Sequence, residues 1–166
     1  MTINKRSGFT LIEILIVVAI IAILASVVLV GLGPTQSLGR DARRVSDIHE
    51  VQNGLELYYN KYGIYPGDKS GAQATVTNWA ALITSLTQGG IGVTSIPDDP
   101  SSGSHYLYGV NSGGTPAYST YVLEAKLENS TGGSWNGYNP LTIPAGMTWS
   151  GTTPSSCAAP NYCVTL

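Results

Sequence analysis

One carboxylate stands at the edge of a long uncharged segment. Glu13 precedes a run from Ile14 to Gly39 that contains no Asp, Glu, Lys, Arg or His. A carboxylate near a membrane interior costs about 2.5–3.5 kcal/mol on insertion scales, so it is a functional candidate by default. A cut between Gly8 and Phe9 would place a new α-amino cation at the same depth. Two embedded subunits could then pair amine with carboxylate, and the pair would set the axial register of one helix against the next.

The element that carries Glu13 is long enough to cross a membrane. The run from Ile14 to Val30 is apolar except for Ser26. With its flanks it has about 25 residues, which as a helix span roughly 37 Å against a bilayer core of ~30 Å. Lys5 and Arg6, which precede the run, are expected to stay cytoplasmic, so the rest of the chain is exported.

Other interpretations of this segment account less well for Glu13. A cleaved secretory signal peptide usually has a shorter apolar core, of about 7–15 residues. An ordinary single-pass membrane anchor is a second alternative for the segment. For Glu13 itself, the alternative is that its side chain merely lies in the lipid headgroup zone. A buried core helix of a soluble protein would need a larger protein around it.

The string Gly8-Phe9-Thr10-Leu11-Ile12-Glu13 and the apolar helix after it resemble the N-terminal signature of type IV prepilins and type II secretion pseudopilins. The resemblance implies cleavage after Gly8 by a prepilin peptidase and N-methylation of Phe9. It also implies that Glu13 is the assembly carboxylate, five residues into the mature chain. Loss of the leader would leave six basic against ten acidic side chains, a formal charge of −4 before the new amine is counted.

A second helical pattern follows a predicted break. Pro34 lacks a backbone donor and disfavours helix at the residue before it, so Gly31–Pro34 predicts an interruption. In the family that the chain resembles, this stretch often kinks or melts on assembly. Apolar residues at steps of three and four predict an amphipathic helix over 36–62, which Gly63 would end. Its polar face could form ion pairs between subunits or lie in solvent, and it carries Arg40, Asp41, Arg43, Arg44, Asp47, Glu50 and Glu56.

The remainder of the chain predicts a small head. A short helix over 79–86, with Asn78 as its cap, precedes strand-like runs at 106–110, 118–127 and 146–149. An antiparallel sheet would cover the apolar stripe of the second helical pattern. The expected fold is therefore α+β and pilin-like, with a long N-terminal helix, half membrane-spanning and half amphipathic, packed on the sheet. The expected segments are a cleaved leader at 1–8, an assembly helix at 9–33, its amphipathic half at 34–62 and the head at 63–166.

Several strings in the middle of the chain are similar to the major pseudopilin group of type II secretion. They are Asp47-Ile48, Leu55 to Tyr59, Gly63 to Pro66, and Pro97-Asp98-Asp99-Pro100 leading to His105 to Tyr108. The similarity runs to about Leu127. That group has acidic residues around a Gly-rich turn that binds calcium, whereas residues 128–133 here offer only Glu128. Calcium is therefore only a minor expectation, and no other cofactor or metal is expected.

Two cysteines, Cys157 and Cys163, lie near the C-terminus. An exported compartment and an even count favour a disulfide, with two free thiols as the alternative. Several type IV pilins have a C-terminal disulfide-bounded loop, which favours a pilin over a major pseudopilin.

No pattern in the sequence predicts catalysis. His49 and His105 are the only histidines, and no G-x-S-x-G, Walker or HExxH motif occurs. Charged residues make up 11% of the chain and acidic ones outnumber basic ones, so no specific binding of nucleic acid is predicted.

These observations predict a structural subunit of a type IV pilus-like filament. It would be inserted in the cytoplasmic membrane as a prepilin and polymerised by helix packing into an extracellular pilus or a periplasmic pseudopilus. Expected partners are other copies, minor pilins, a prepilin peptidase/methyltransferase, an inner-membrane assembly platform and an assembly ATPase. The alternatives are a pseudopilin of a type II secretion piston and, from another class, a membrane-anchored binding module.

Overall fold

The computed structural model describes residues 8–67, 78–113, 115–129, 143, 146–149, 157 and 160–166, without the side chains at 29–34. The chain forms two compact units, Met1–Ser37 and Leu38–Leu166. The predicted leader residues Lys5 and Arg6 lie outside the described residues, as does most of the Gly-rich turn at 128–133.

The first helix is continuous. α1 spans Leu11–Tyr62 and passes through 31–34 without interruption, so the break predicted there is wrong. Pro34 has no N–H and cannot bond to the carbonyl of Val30, which costs a helix interior about 3 kcal/mol. The helix nevertheless accommodates the missing bond without a break.

The predicted end of α1 and the predicted cap of α2 are confirmed, whereas α2 runs two residues beyond the predicted 79–86. Gly63 follows α1 with φ +72°, a left-handed conformation that glycine adopts at little cost, and its N–H donates to the Tyr59 carbonyl at 2.7 Å. The second helix, α2, spans Trp79–Gln88. Its N-cap is Asn78, whose side chain accepts from the Ala81 N–H at 2.8 Å.

Four antiparallel strands form one sheet in the order β3-β1-β2-β4. Three of them overlap the predicted runs, whereas β4 is not among the predictions. β4 is a five-residue edge strand, and its Tyr162, Val164 and Thr165 are good strand formers, a local signal that the predictions leave out. The strands are β1 Leu107–Asn111, β2 Tyr121–Lys126, β3 Met147–Trp149 and β4 Asn161–Thr165.

Alternation along β2 divides its side chains between two cores. Val122 packs with Cys157 and Cys163 in a smaller core on one face of the sheet. Glu124, two residues on, lies on that same face. The other face packs on the apolar stripe of α1, which confirms the α+β, pilin-like architecture. The larger core includes Val45, Ile48, Val51, Leu55 and Tyr58 of α1 with Tyr121, Leu123 and Ala125 of β2.

Candidate functional site

The first turn of α1 holds the carboxylate that the sequence singles out. Thr10 is the residue before the helix, and both its N–H and its hydroxyl donate to Glu13 Oε2 at 2.8 Å. In return, the Glu13 N–H donates to the Thr10 hydroxyl at 3.3 Å. This reciprocal pair is a capping box, which satisfies donors that the first turn leaves free. The carboxylate is therefore held over the N-terminal end of α1.

The predicted cleavage residues lie directly ahead of this turn and are exposed. Phe9 is 85% exposed. A Cβ on Gly8 would meet nothing within 4 Å in the described part of the chain.

The helix behind Glu13 exposes its apolar side chains all round. Leu11–Val28 is the one span in the described part of the chain that is long and apolar enough to cross a membrane, and none of it is buried. Such a helix needs lipid or other helices around it, because large exposed apolar surfaces do not persist in water.

A second polar site ties α1 to the head. Arg44 is 2% exposed and donates to three carboxylates at 2.8 Å each, those of Asp41, Asp99 and Glu128. It also donates to the Ser101 hydroxyl at 2.6 Å. The bonds to Asp99, followed by those to the other carboxylates, raise the pKa of Arg44 well above its ordinary value although burial opposes this.

The carboxylates of this cluster are held by further donors. Asp41 is fully buried and accepts the N–H groups of Glu128 and Asn129 at 2.9 and 3.1 Å. Arg40 donates from Nε to Glu128 at 2.7 Å and also from its NH2 group. The Arg40 bond is the main reason why the pKa of Glu128 falls to about 2. Burial alone would raise the pKa of Asp99, but bonds from Arg44 and Ser101 bring it below its usual range.

The prediction that the polar face of α1 lies in solvent or pairs with other subunits is wrong for three of its residues. Asp41, Arg44 and Asp47 are buried, so they neither lie in solvent nor remain available to another subunit. Their burial could not be seen in the local pattern, because the partners Asp99 and Glu128 are 55 and 84 residues away from Arg44. The one local signal is the i,i+3 spacing of Asp41 and Arg44.

The structure joins Cys157 to Cys163, with their Cα atoms 5.6 Å apart. The pair belongs to the smaller core, on the face of the sheet turned away from α1. Within the described residues, no group of three His, Cys, Asp or Glu side chains could hold a metal ion.

These features define a class of protein, a pilin-like subunit with an apolar N-terminal helix and a small sheet-bearing head. The family model for the prokaryotic N-terminal methylation motif matches residues 3–29. The type II secretion system core protein G of Vibrio cholerae serotype O1 is 32% identical over 105 residues, 63% of this chain and 71% of that protein. Core protein G of Escherichia coli strain K12 is 32% identical over 117 residues, 69% and 79% of the two chains. No solved structure matches the chain.

The chain belongs to the family of type II secretion system core protein G, the major pseudopilin. Members of this family are structural subunits and not enzymes. The apolar helix and the relatives agree with inner-membrane anchoring and a periplasmic head, with self-association and processing by a peptidase.

Proposed function

We propose that this chain is the repeating subunit of a type II secretion pseudopilus, a short periplasmic filament that acts as a piston. The observation that carries the proposal is the capped carboxylate of Glu13 at the head of an unburied apolar helix. Similarity to core protein G over most of the chain favours secretion over the long pilus that the N-terminus alone predicts.

The proposed assembly begins with cleavage after Gly8 and methylation of Phe9. The leader would leave with its two cations, and the new terminal amine would lie next to the capped carboxylate of Glu13. A neighbour's amine would then pair with Glu13 as the helix exchanges lipid for other helices. Because subunits of this family are structural and not enzymes, force would come from an assembly platform and its ATPase, with minor pilins as further partners.

Mass spectrometry of the N-terminal peptide tests the processing step. Filaments sheared from cells that overproduce the chain should yield a peptide that begins at methylated Phe9. Filaments whose subunits begin at intact Met1 would refute the proposed processing.

A type IV pilus remains the second candidate, favoured by the C-terminal disulfide between Cys157 and Cys163. Deletion of the gene separates the two functions. A pseudopilin defect should leave exported enzymes trapped in the periplasm while long surface fibres persist. Normal secretion with loss of long fibres, twitching or DNA uptake would instead establish the pilus.

A further inference from the structure

The chain that follows β2 is held by groups of α1. Glu128 and Asn129 both donate their N–H to the buried carboxylate of Asp41, at 2.9 and 3.1 Å. The side-chain amide of Asn129 donates to the same carboxylate at 3.2 Å. The chain is therefore fixed to α1 two residues after β2 ends, where the Gly-rich turn over 128–133 begins.

Both oxygens of the Glu128 carboxylate are bound by arginines of α1. Oε1 accepts Arg40 Nε at 2.7 Å and Arg44 Nη1 at 2.8 Å, and Oε2 accepts Nη2 of Arg40. A guanidinium presents its donors in a planar fork that matches a carboxylate, and it keeps its charge in proteins. Two permanent cations therefore lie beside the carboxylate with which the turn begins.

The resemblance to major pseudopilins implies a calcium ion at this turn, and the residues present here do not fit one. Calcium takes about six to eight oxygen ligands, among them carboxylate oxygens. Glu128 is the one acidic residue of the turn, and residues 129–166 contain no Asp or Glu. A calcium ion at Glu128 would also have to displace a guanidinium or lie against one, which like-charge repulsion disfavours.

We propose that the guanidinium groups of Arg40 and Arg44 hold this turn in place of a metal ion, so that the head needs no calcium to fold. The two arginines supply from within the chain the positive charge that a divalent cation would otherwise bring. The stability of the head should accordingly respond to loss of the arginines and not to loss of calcium. The inference concerns the folding of the head, and it stands whether or not the chain polymerises.

Urea unfolding of the full chain in detergent tests the independence from calcium. One sample contains excess EGTA, and a second contains calcium chloride at about 10 mM, above the dissociation constants of weak extracellular calcium sites. A third contains magnesium chloride at the same concentration, and sodium chloride brings all three to one ionic strength, because salt screens ion pairs. We expect one urea midpoint in all three samples. A midpoint that rises with calcium alone would overturn the proposal.

Carbon-13 NMR of the glutamate side chains tests the same point at the turn itself. Glu128→Gln identifies the carboxyl signal of Glu128 by its absence. We expect this signal to keep its chemical shift when calcium chloride replaces magnesium chloride. A shift seen only with calcium would show that the ion reaches Glu128, and it would refute the proposal even if the urea midpoint did not move.

Amide hydrogen exchange tests whether the arginines hold the turn. Arg44→Met removes the cation that Asp41 and Glu128 share. The amide hydrogens of Glu128 and Asn129 should then exchange faster by roughly tenfold or more, since loss of the buried cation weakens the bonds that protect them. The increase should be the same in calcium and in EGTA.

Arg40→Met covers the case in which Arg44→Met does not fold. It removes the more exposed of the two arginines and should give a smaller increase at the same two amides. Arg43→Met is the matched control, because Arg43 pairs with Asp47 on α1 itself, and it should leave both amides as slow as in the wild type. Unchanged exchange in Arg40→Met and Arg44→Met would show that the arginines do not hold the turn.

Discussion

At the scale of single residues, Glu13 has two roles that one substitution can separate. In the single subunit, its carboxylate closes a capping box with Thr10. A glutamine at the same place accepts those bonds equally well. A pair with a neighbour's terminal amine, by contrast, needs the full negative charge. Glu13→Gln therefore preserves the cap and removes only the proposed ion pair.

We expect Glu13→Gln to insert in the membrane normally and to lose most of its fibre yield. Thr10→Val is the matched variant, because it removes the capping hydroxyl and keeps the charge, and it should cause a smaller loss. The measurement is the share of the chain in the sheared fibre fraction relative to the membrane fraction. If Glu13→Gln gave the wild-type fibre yield, the role of Glu13 would be limited to capping α1.

Glu124 makes the stability of the head depend on pH. Burial raises its pKa to about 7, against about 4.5 in the unfolded chain, with Lys126 opposing the shift. The folded state holds this proton more tightly than the unfolded chain does. The contribution of Glu124 to the free energy of unfolding is therefore fully present below pH 4.5 and is lost as the pH rises through 7. Between pH 4.5 and 8 the loss should be on the order of 3 kcal/mol. Glu124→Gln should remove this dependence and be the more stable protein at pH 8.

Urea unfolding of the head at pH 4.5, 6 and 8 would measure this difference. Glu50→Gln, which removes an exposed carboxylate of α1, should keep the wild-type slope between pH 4.5 and 8. An unchanged slope in Glu124→Gln would show that another group carries the dependence.

At the scale of elements, Arg44 holds α1 against two other parts of the head. Its bonds reach the loop before β1 through Asp99 and the chain after β2 through Glu128. Arg44→Met fills a similar volume but leaves buried carboxylates without a cation, which typically costs about 3–5 kcal/mol. We expect a drop of that size in the free energy of unfolding. Arg43→Met is the control, and its exposed pair with Asp47 should contribute less than about 1 kcal/mol.

Denaturant unfolding of the two variants, with the disulfide intact, measures both effects at once. Equal stabilities for Arg44→Met and Arg43→Met would contradict the view that the buried cluster anchors α1.

The elements differ in how far the sequence predicts them. The end of α1, all of α2 and three strands follow from periodicity, caps and turn residues, since these signals are local. The continuity of α1 through Pro34 does not follow from the sequence, because a proline inside a helical pattern locally predicts a break or a kink. The burial of Asp41 and Arg44 and the pairing of β4 depend on residues far along the chain, which no local pattern records.

At the scale of the whole molecule, the stability and the assembly of the chain belong to different segments. Every buried side chain of the two cores comes from residue 45 or later, and the ion cluster begins at Arg40. The exposed apolar side chains of Leu11–Val28 make no core at all. Folding of the head should therefore not need the membrane helix, whereas filament formation should.

We expect residues 35–166, which keep one helical turn ahead of Arg40, to fold as a soluble monomer that forms no fibres. Thermal unfolding followed by near-ultraviolet circular dichroism should give the same midpoint as the head of the full chain in detergent, because all core residues are retained. Arg44→Met in this fragment should lower the midpoint, which would show that the cluster is intact there. A lower unfolding midpoint for the fragment than for the full chain would mean that the membrane helix stabilises the head. Fibres formed by the fragment would show that assembly does not require Glu13.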